Sequence, residues 1–230
     1  MKTSFSVRSF FILILLVSGF ANAQETSVMI RVQSKDAKFI GSSIGGAKIL
    51  VRDQLTGEIL AEGITKGSTG NTELIMKTAR ERGQSLADES TAGFNAVLQL
   101  EQPTFVTVEA FAPVNKRQAV VKSSTQLWVI PGKHITGDGV VLEVPGFVVD
   151  ILSPQSHERI GKESEISIKV NVVMMCGCPV TPGGIWNSDS YEIQALISKD
   201  GALVSTSDLQ ATDKESTFEG RVTLPPGNYE

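Results

Sequence analysis

The chain has 230 residues, with 21 Lys plus Arg against 25 Asp plus Glu, and a hydrophobic content of 41%. That apolar content is enough for a packed core without a disulfide scaffold, which two cysteines are too few to supply. No Lys/Arg run or basic patch is present, which argues against nucleic acid as a partner.

Residues 1–23 read as a cleaved signal peptide. Lys2 and Arg8 form a positive start, Phe10–Phe20 an apolar centre, and Ala21-Asn22-Ala23 a small-x-small cleavage site before Gln24. The apolar run spans 11 residues, short of the roughly 20 a membrane-crossing helix needs, so no transmembrane segment is expected after cleavage. Losing Lys2 and Arg8 leaves 19 basic residues against 25 acidic ones, a net charge of −6. The remaining chain of about 207 residues has room for one large or two ordinary domains, in the periplasm or outside the cell.

Beyond Gln24 the dominant signal is alternation of apolar and polar residues, the period of a strand with one buried face. Val28, Ile30 and Val32 share one parity, then Ala47, Ile49 and Val51. Phe94, Ala96, Leu98 and Leu100 follow, then Val106, Val108 and Ala110, then Val140, Leu142 and Val144. Gly45-Gly46, Thr56-Gly57, Gly70-Asn71, Gln102-Pro103 and Pro131-Gly132 supply turns between them. Met76–Ser90 breaks the rhythm: it is polar, mixed in charge and interrupted by Gly83, and reads as a long loop. Trp128 lies opposite in parity to its apolar neighbours and is expected to be partly exposed.

A domain change is expected at Pro145-Gly146. Phe147, Val149 and Ile151 open a second alternating series, followed by Ile166, Ile168, Val170, Val172, Met174, Cys176 and Cys178 on one parity. Further strands are predicted at Tyr191–Ser198, Ala202–Ser207 and Ser216–Leu224. Pro225–Glu230 resembles the launch of a closing strand, so the second unit is expected to be truncated at its C-terminus. Many short strands with this punctuation predict an all-β chain: two β-sandwich domains in tandem, residues 24–146 and 147–230, after the signal peptide.

The run Val28–Val32, Gly46–Val51, the Asp53–Gly57 turn, Ile59-Leu60-Ala61 and the Gly67–Asn71 turn resemble the transthyretin-like, carboxypeptidase-regulatory-like sandwiches. Val149–Pro154, the Ile166 strand and Leu224–Tyr229 are similar to bacterial immunoglobulin-like modules. The resemblance implies adhesion, spacer or accessory roles beside another component.

The two cysteines stand one residue apart in Met174-Met175-Cys176-Gly177-Cys178-Pro179. In a flat strand their Cα atoms would lie about 6.6–6.8 Å apart, the upper limit for a disulfide; Gly177 and Pro179 allow the bend that closes it. Three chemistries stay open: a buried or locally bridged structural pair, a thiol-redox or partner-linking pair, or a soft copper site built from Cys176, Cys178, Met174 and Met175. His134 and His157 are the chain's imidazoles and would join a metal site where the fold brings them close.

No phosphate loop, His-Glu-x-x-His or nucleophile elbow is present, and no catalytic residue is assigned. Gly137-Asp138-Gly139 reads as a turn. Trp186, Asp189 and Tyr191 form a candidate partner contact; carbohydrate stacking on Trp128 or Trp186 is a further possibility. The expectation is an exported, non-catalytic binding or accessory protein with no cofactor, the alternative being a copper-binding or thiol-redox protein centred on Cys176 and Cys178.

Overall fold

The computed structural model describes residues 23–160 and 165–230. The predicted signal peptide, apart from Ala23, lies outside the described residues.

Seven strands build the first sandwich: β1 (Gln24–Ser34), β2 (Lys48–Asp53), β3 (Ile59–Ile64), β4 (Phe94–Leu100), β5 (Thr104–Ala112), β6 (Val121–Val129) and β7 (Ile135–Val144). They form two sheets, in the orders β4-β1-β7 and β3-β2-β5-β6. Pairing is antiparallel except between β1 and β7, which run parallel. Alternation explains the core: Val28, Ile30 and Val32 of β1 meet Ile49 and Val51 of β2 and Val106 and Val108 of β5, all buried. Each such side chain contributes about 1.5–3 kcal/mol of burial.

β8 (Phe147–Ser153), β9 (Glu165–Met174), β10 (Val180–Thr181), β11 (Trp186–Asn187), β12 (Gln194–Lys199), β13 (Ala202–Asp208), β14 (Gln210–Ala211) and β15 (Thr217–Thr223) build the second sandwich. Its main sheet has the order β14-β15-β9-β8, and β12 and β13 form a separate hairpin. Val170, Val172 and Phe218 of the main sheet share a buried core with Trp186 and Leu209, against which Ile193 and Ala195 pack. The chain is thus all-β, two β-sandwiches in tandem.

The two cores interlock. Val148 of β8 and Met175, just beyond β9, are buried in the first core, and Ala37 from the β1–β2 connection is buried in the second. Polar contacts bind the same joint: Lys116 Nζ meets Asp150 Oδ2 at 2.6 Å, and Gln118 Nε2 donates to Asp150 Oδ1 at 2.6 Å.

The structure departs from the sequence reading in several places. The alternating series Phe147, Val149 and Ile151 of β8 is exposed, and Val148, on the other parity, is the side chain β8 buries. The predicted Ile166 strand does not run through Cys178: β9 stops at Met174 because Gly177, at φ +77°, turns the chain back on itself. Val121–Val129 is a strand despite its polar middle, since its register on β5 is complete from Val121↔Ala112 to Val129↔Thr104. The Met76–Ser90 excursion begins inside a π-turn, Glu73–Lys77, whose Ile75 is buried. Asp138 lies within β7, not in a free turn.

Candidate functional site

Two places concentrate chemistry, the cysteine hairpin and the base of the 78–90 loop.

The hairpin reverses β9 in three residues. Gly177 N–H donates to the Met174 carbonyl at 2.7 Å, Met174 N–H donates to the Cys178 carbonyl at 2.9 Å, and Val173 bridges Pro179. This is the three-residue loop in which a left-handed glycine forms the bulge. The fold bends as Gly177 permits, and Cys176 and Cys178 are joined by a disulfide with their Cα atoms 5.3 Å apart. Both cysteines are buried in the second core beside Met174, whereas Met175 points the other way into the first. The four sulfurs proposed as copper ligands are therefore divided between two cores, and the bridged pair presents no thiolate, the form that binds soft metals. Among the described residues no group of three or more His, Cys, Asp and Glu side chains is arranged to hold a metal ion. His134 is engaged elsewhere, its Nδ1 accepting from Ser27 N–H at 3.0 Å, and His157 lies exposed between β8 and β9.

The hairpin tip rests against the first sandwich. A Cβ on Gly177 would stand 3.3 Å from Ile44 Cδ1. Beside it Trp186, 6% exposed, donates from Nε1 to the Asp36 carbonyl at 2.9 Å, across the joint. Trp186 is a plug between the sandwiches, and this corrects its expected place on a partner surface. Tyr191 is half-buried against Phe147, ring centroids 5.1 Å apart, which leaves Asp189 as the exposed member of that trio.

The loop base was not visible in the sequence. Asp138 Oδ1 accepts from Ser85 Oγ at 2.6 Å and from Ala87 N–H at 2.9 Å, while Oδ2 accepts from Leu86 N–H at 2.9 Å. Burial works to raise this carboxyl, but those hydrogen bonds and the Arg31 charge outweigh it and hold it below the ordinary carboxylate range. Arg31, on β1, is buried and donates from Nη1 to the Thr91 carbonyl and to the Ala92 carbonyl at 3.0 Å. Burial lowers its guanidinium below the usual value, opposed by Asp138 and Asp88. Asp88 Oδ1 in turn accepts from the hydroxyls of Ser90 and Thr91, each at 2.8 Å, and from their backbone N–H groups, which hold its carboxyl low. Arg80, Glu81 and Arg82 are exposed beyond this base.

Trp128 is 61% exposed on β6 and packs on Phe105 with ring centroids 5.1 Å apart. Among the described residues no helix is long and apolar enough to cross a membrane.

No family model matches the chain, and no curated protein matches it. Among solved structures, the crystal structure of Dpr2 Ig1-Ig2 in complex with DIP-Theta Ig1-Ig3 is similar to 89% of this chain over 91% of its own, at 10% identity and a TM-score of 0.27. A superposition that loose carries no argument beyond itself.

Proposed function

We propose that the chain is an exported, non-catalytic binding or accessory module of the periplasm or cell surface, and that residues 78–90 are the surface it offers to a protein partner. One observation carries this reading. A long, charged excursion with no strand or helix of its own between 78 and 90 is pinned at its base by Asp138, Asp88 and Arg31. A loop that only connected β3 to β4 would not need a half-buried carboxylate reaching across from β7. Held this way, its tip keeps one shape, which lowers the ordering cost of binding. Asp189, exposed next to the buried Ser188, is a second candidate contact.

A photo-crosslinking residue at Glu81, in cells exporting the protein, is expected to yield one discrete protein adduct. The paired change Arg80→Ala and Arg82→Ala should abolish that adduct and leave thermal stability unchanged. An adduct insensitive to the pair, or substrate turnover that depends on particular side chains of this chain, would count against the reading.

A further inference from the structure

We propose that the Cys176–Cys178 bridge is a redox latch on the joint between the two sandwiches, closed while oxidised and loosened by a dithiol reductant. The inference rests on the position of the hairpin and is separate from the role given to the 78–90 loop.

The hairpin is a wedge with one side in each core. Met175 is fully buried in the first, and Cys176 and Cys178, 1% and 5% exposed, are in the second. Gly177 lies against Ile44 at the tip, and Trp186 crosses the same seam to the Asp36 carbonyl. A bonded sulfur pair is compact. Two thiols must stand at nonbonded distance, roughly 1.5 Å further apart, and a close-packed core has no free space for that. Opening the bond also frees the backbone of Gly177, which the ring confines. Ile44, Met175 and Trp186 are the side chains placed to yield, and all three pack in or across the joint.

The chemistry balances with a small dithiol as co-reactant. Its thiolate attacks one cysteine sulfur, the S–S bond breaks, and a mixed disulfide forms. The second thiol of the reagent then displaces that sulfur. The reagent leaves as a cyclic disulfide, having delivered two electrons and two protons, and Cys176 and Cys178 remain as thiols. Because both sulfurs are buried, attack waits on transient opening of the joint, so reduction is expected to be slower in the native protein than in denaturant.

The test uses the exported full chain carrying Trp128→Phe, so that Trp186 is the single tryptophan emitter. Dithiothreitol should shift Trp186 emission to the red and raise amide exchange at Ala37 and Gly177 by about tenfold or more. Far-UV circular dichroism should stay constant, and reoxidation should restore the starting state. The double variant Cys176→Ser, Cys178→Ser should show the loosened signal without reductant and no response to it. Should that variant fail to fold, the reversible dithiothreitol cycle decides alone. A reduced protein with unchanged Trp186 emission and exchange overturns the proposal. So does a dithiothreitol response that persists in the double variant, or recovery of the native exported protein with free thiols.

Discussion

Replacing Asp138 by Ala removes the acceptor of three hydrogen bonds from Ser85, Leu86 and Ala87 and leaves both sandwich cores untouched. A bond to a charged acceptor contributes about 1.5–3 kcal/mol when fully buried. Here Leu86 and Ala87 are half-buried and Ser85 is exposed, so water replaces much of each bond, and the three share one carboxylate and do not add. About 2 kcal/mol of loop closure is a reasonable total, which corresponds to a roughly 30-fold larger opening constant. Arg80 and Arg82 are exposed within the loop and make it a trypsin target. Under native digestion, where reclosing outpaces cleavage, the cutting rate follows that constant. The expected result is a rise of roughly that size in cleavage after Arg80 and Arg82, with cleavage after exposed Lys214 as the internal control. A folded variant cut at the parent rate would refute the anchoring argument.

The same carboxylate sets a pH dependence. Asp138 is held below its ordinary value when folded, so its contribution is present above the unfolded carboxylate pKa of about 4 and is lost as pH falls through the lower folded value. Loop amide exchange should therefore rise in that acid range, and Asp138→Asn should flatten the profile. Glu109, lowered by Lys122 against its own burial, with Arg52 also favouring the charged form, should destabilise the first sandwich over a similar window in acid melting curves. Two glycine substitutions should differ sharply in denaturant midpoint. Gly139→Ala, at φ +71° with its Cβ driven into the Met29 carbonyl oxygen, should cost about 3 kcal/mol or more. Gly177→Ala meets the movable end of Ile44 at 3.3 Å and should cost about 1–2 kcal/mol. Trp186→Phe forfeits the bond to the Asp36 carbonyl and should lose about 1–2 kcal/mol in thermal melts; Trp128→Phe, on the surface, should stay within about 0.5 kcal/mol.

Alternation made β1, β2, β4 and β5 legible because each has one apolar parity facing a core; in β8 the alternating series Phe147, Val149 and Ile151 is exposed and Val148 is the buried side chain. β6 was hidden, since Lys122 to Gln126 carry no apolar residue and the strand is held by its ladder on β5. β10, β11 and β14 are two residues each, too short for any period to register. Parity did place Met174, Cys176 and Cys178 in one core, but it carried the strand four residues too far, because the glycine bulge keeps the inward side inward while the backbone reverses. The loop anchor left no trace, as Asp138 meets donors more than 50 positions earlier in the chain. The hydrogen bond that fixes Trp186 was hidden for the same reason: its partner, Asp36, is 150 residues away.

The parallel contact of β1 with β7 governs the order of assembly. Ile30 pairs with Val140, and Val28 with Ala96, so the first strand waits for partners far downstream. For a chain that emerges N-terminus first, β1 stays unpaired on both edges until residue 94 arrives and on one edge until residue 135. Contacts of such long separation slow folding and leave a sticky edge strand in the open meanwhile. Delivery of this protein should accordingly depend on whatever shields Val28, Ile30 and Val32 during that interval, and pulse-labelling of nascent chains that end between residues 112 and 134 would show them protease-sensitive throughout β1.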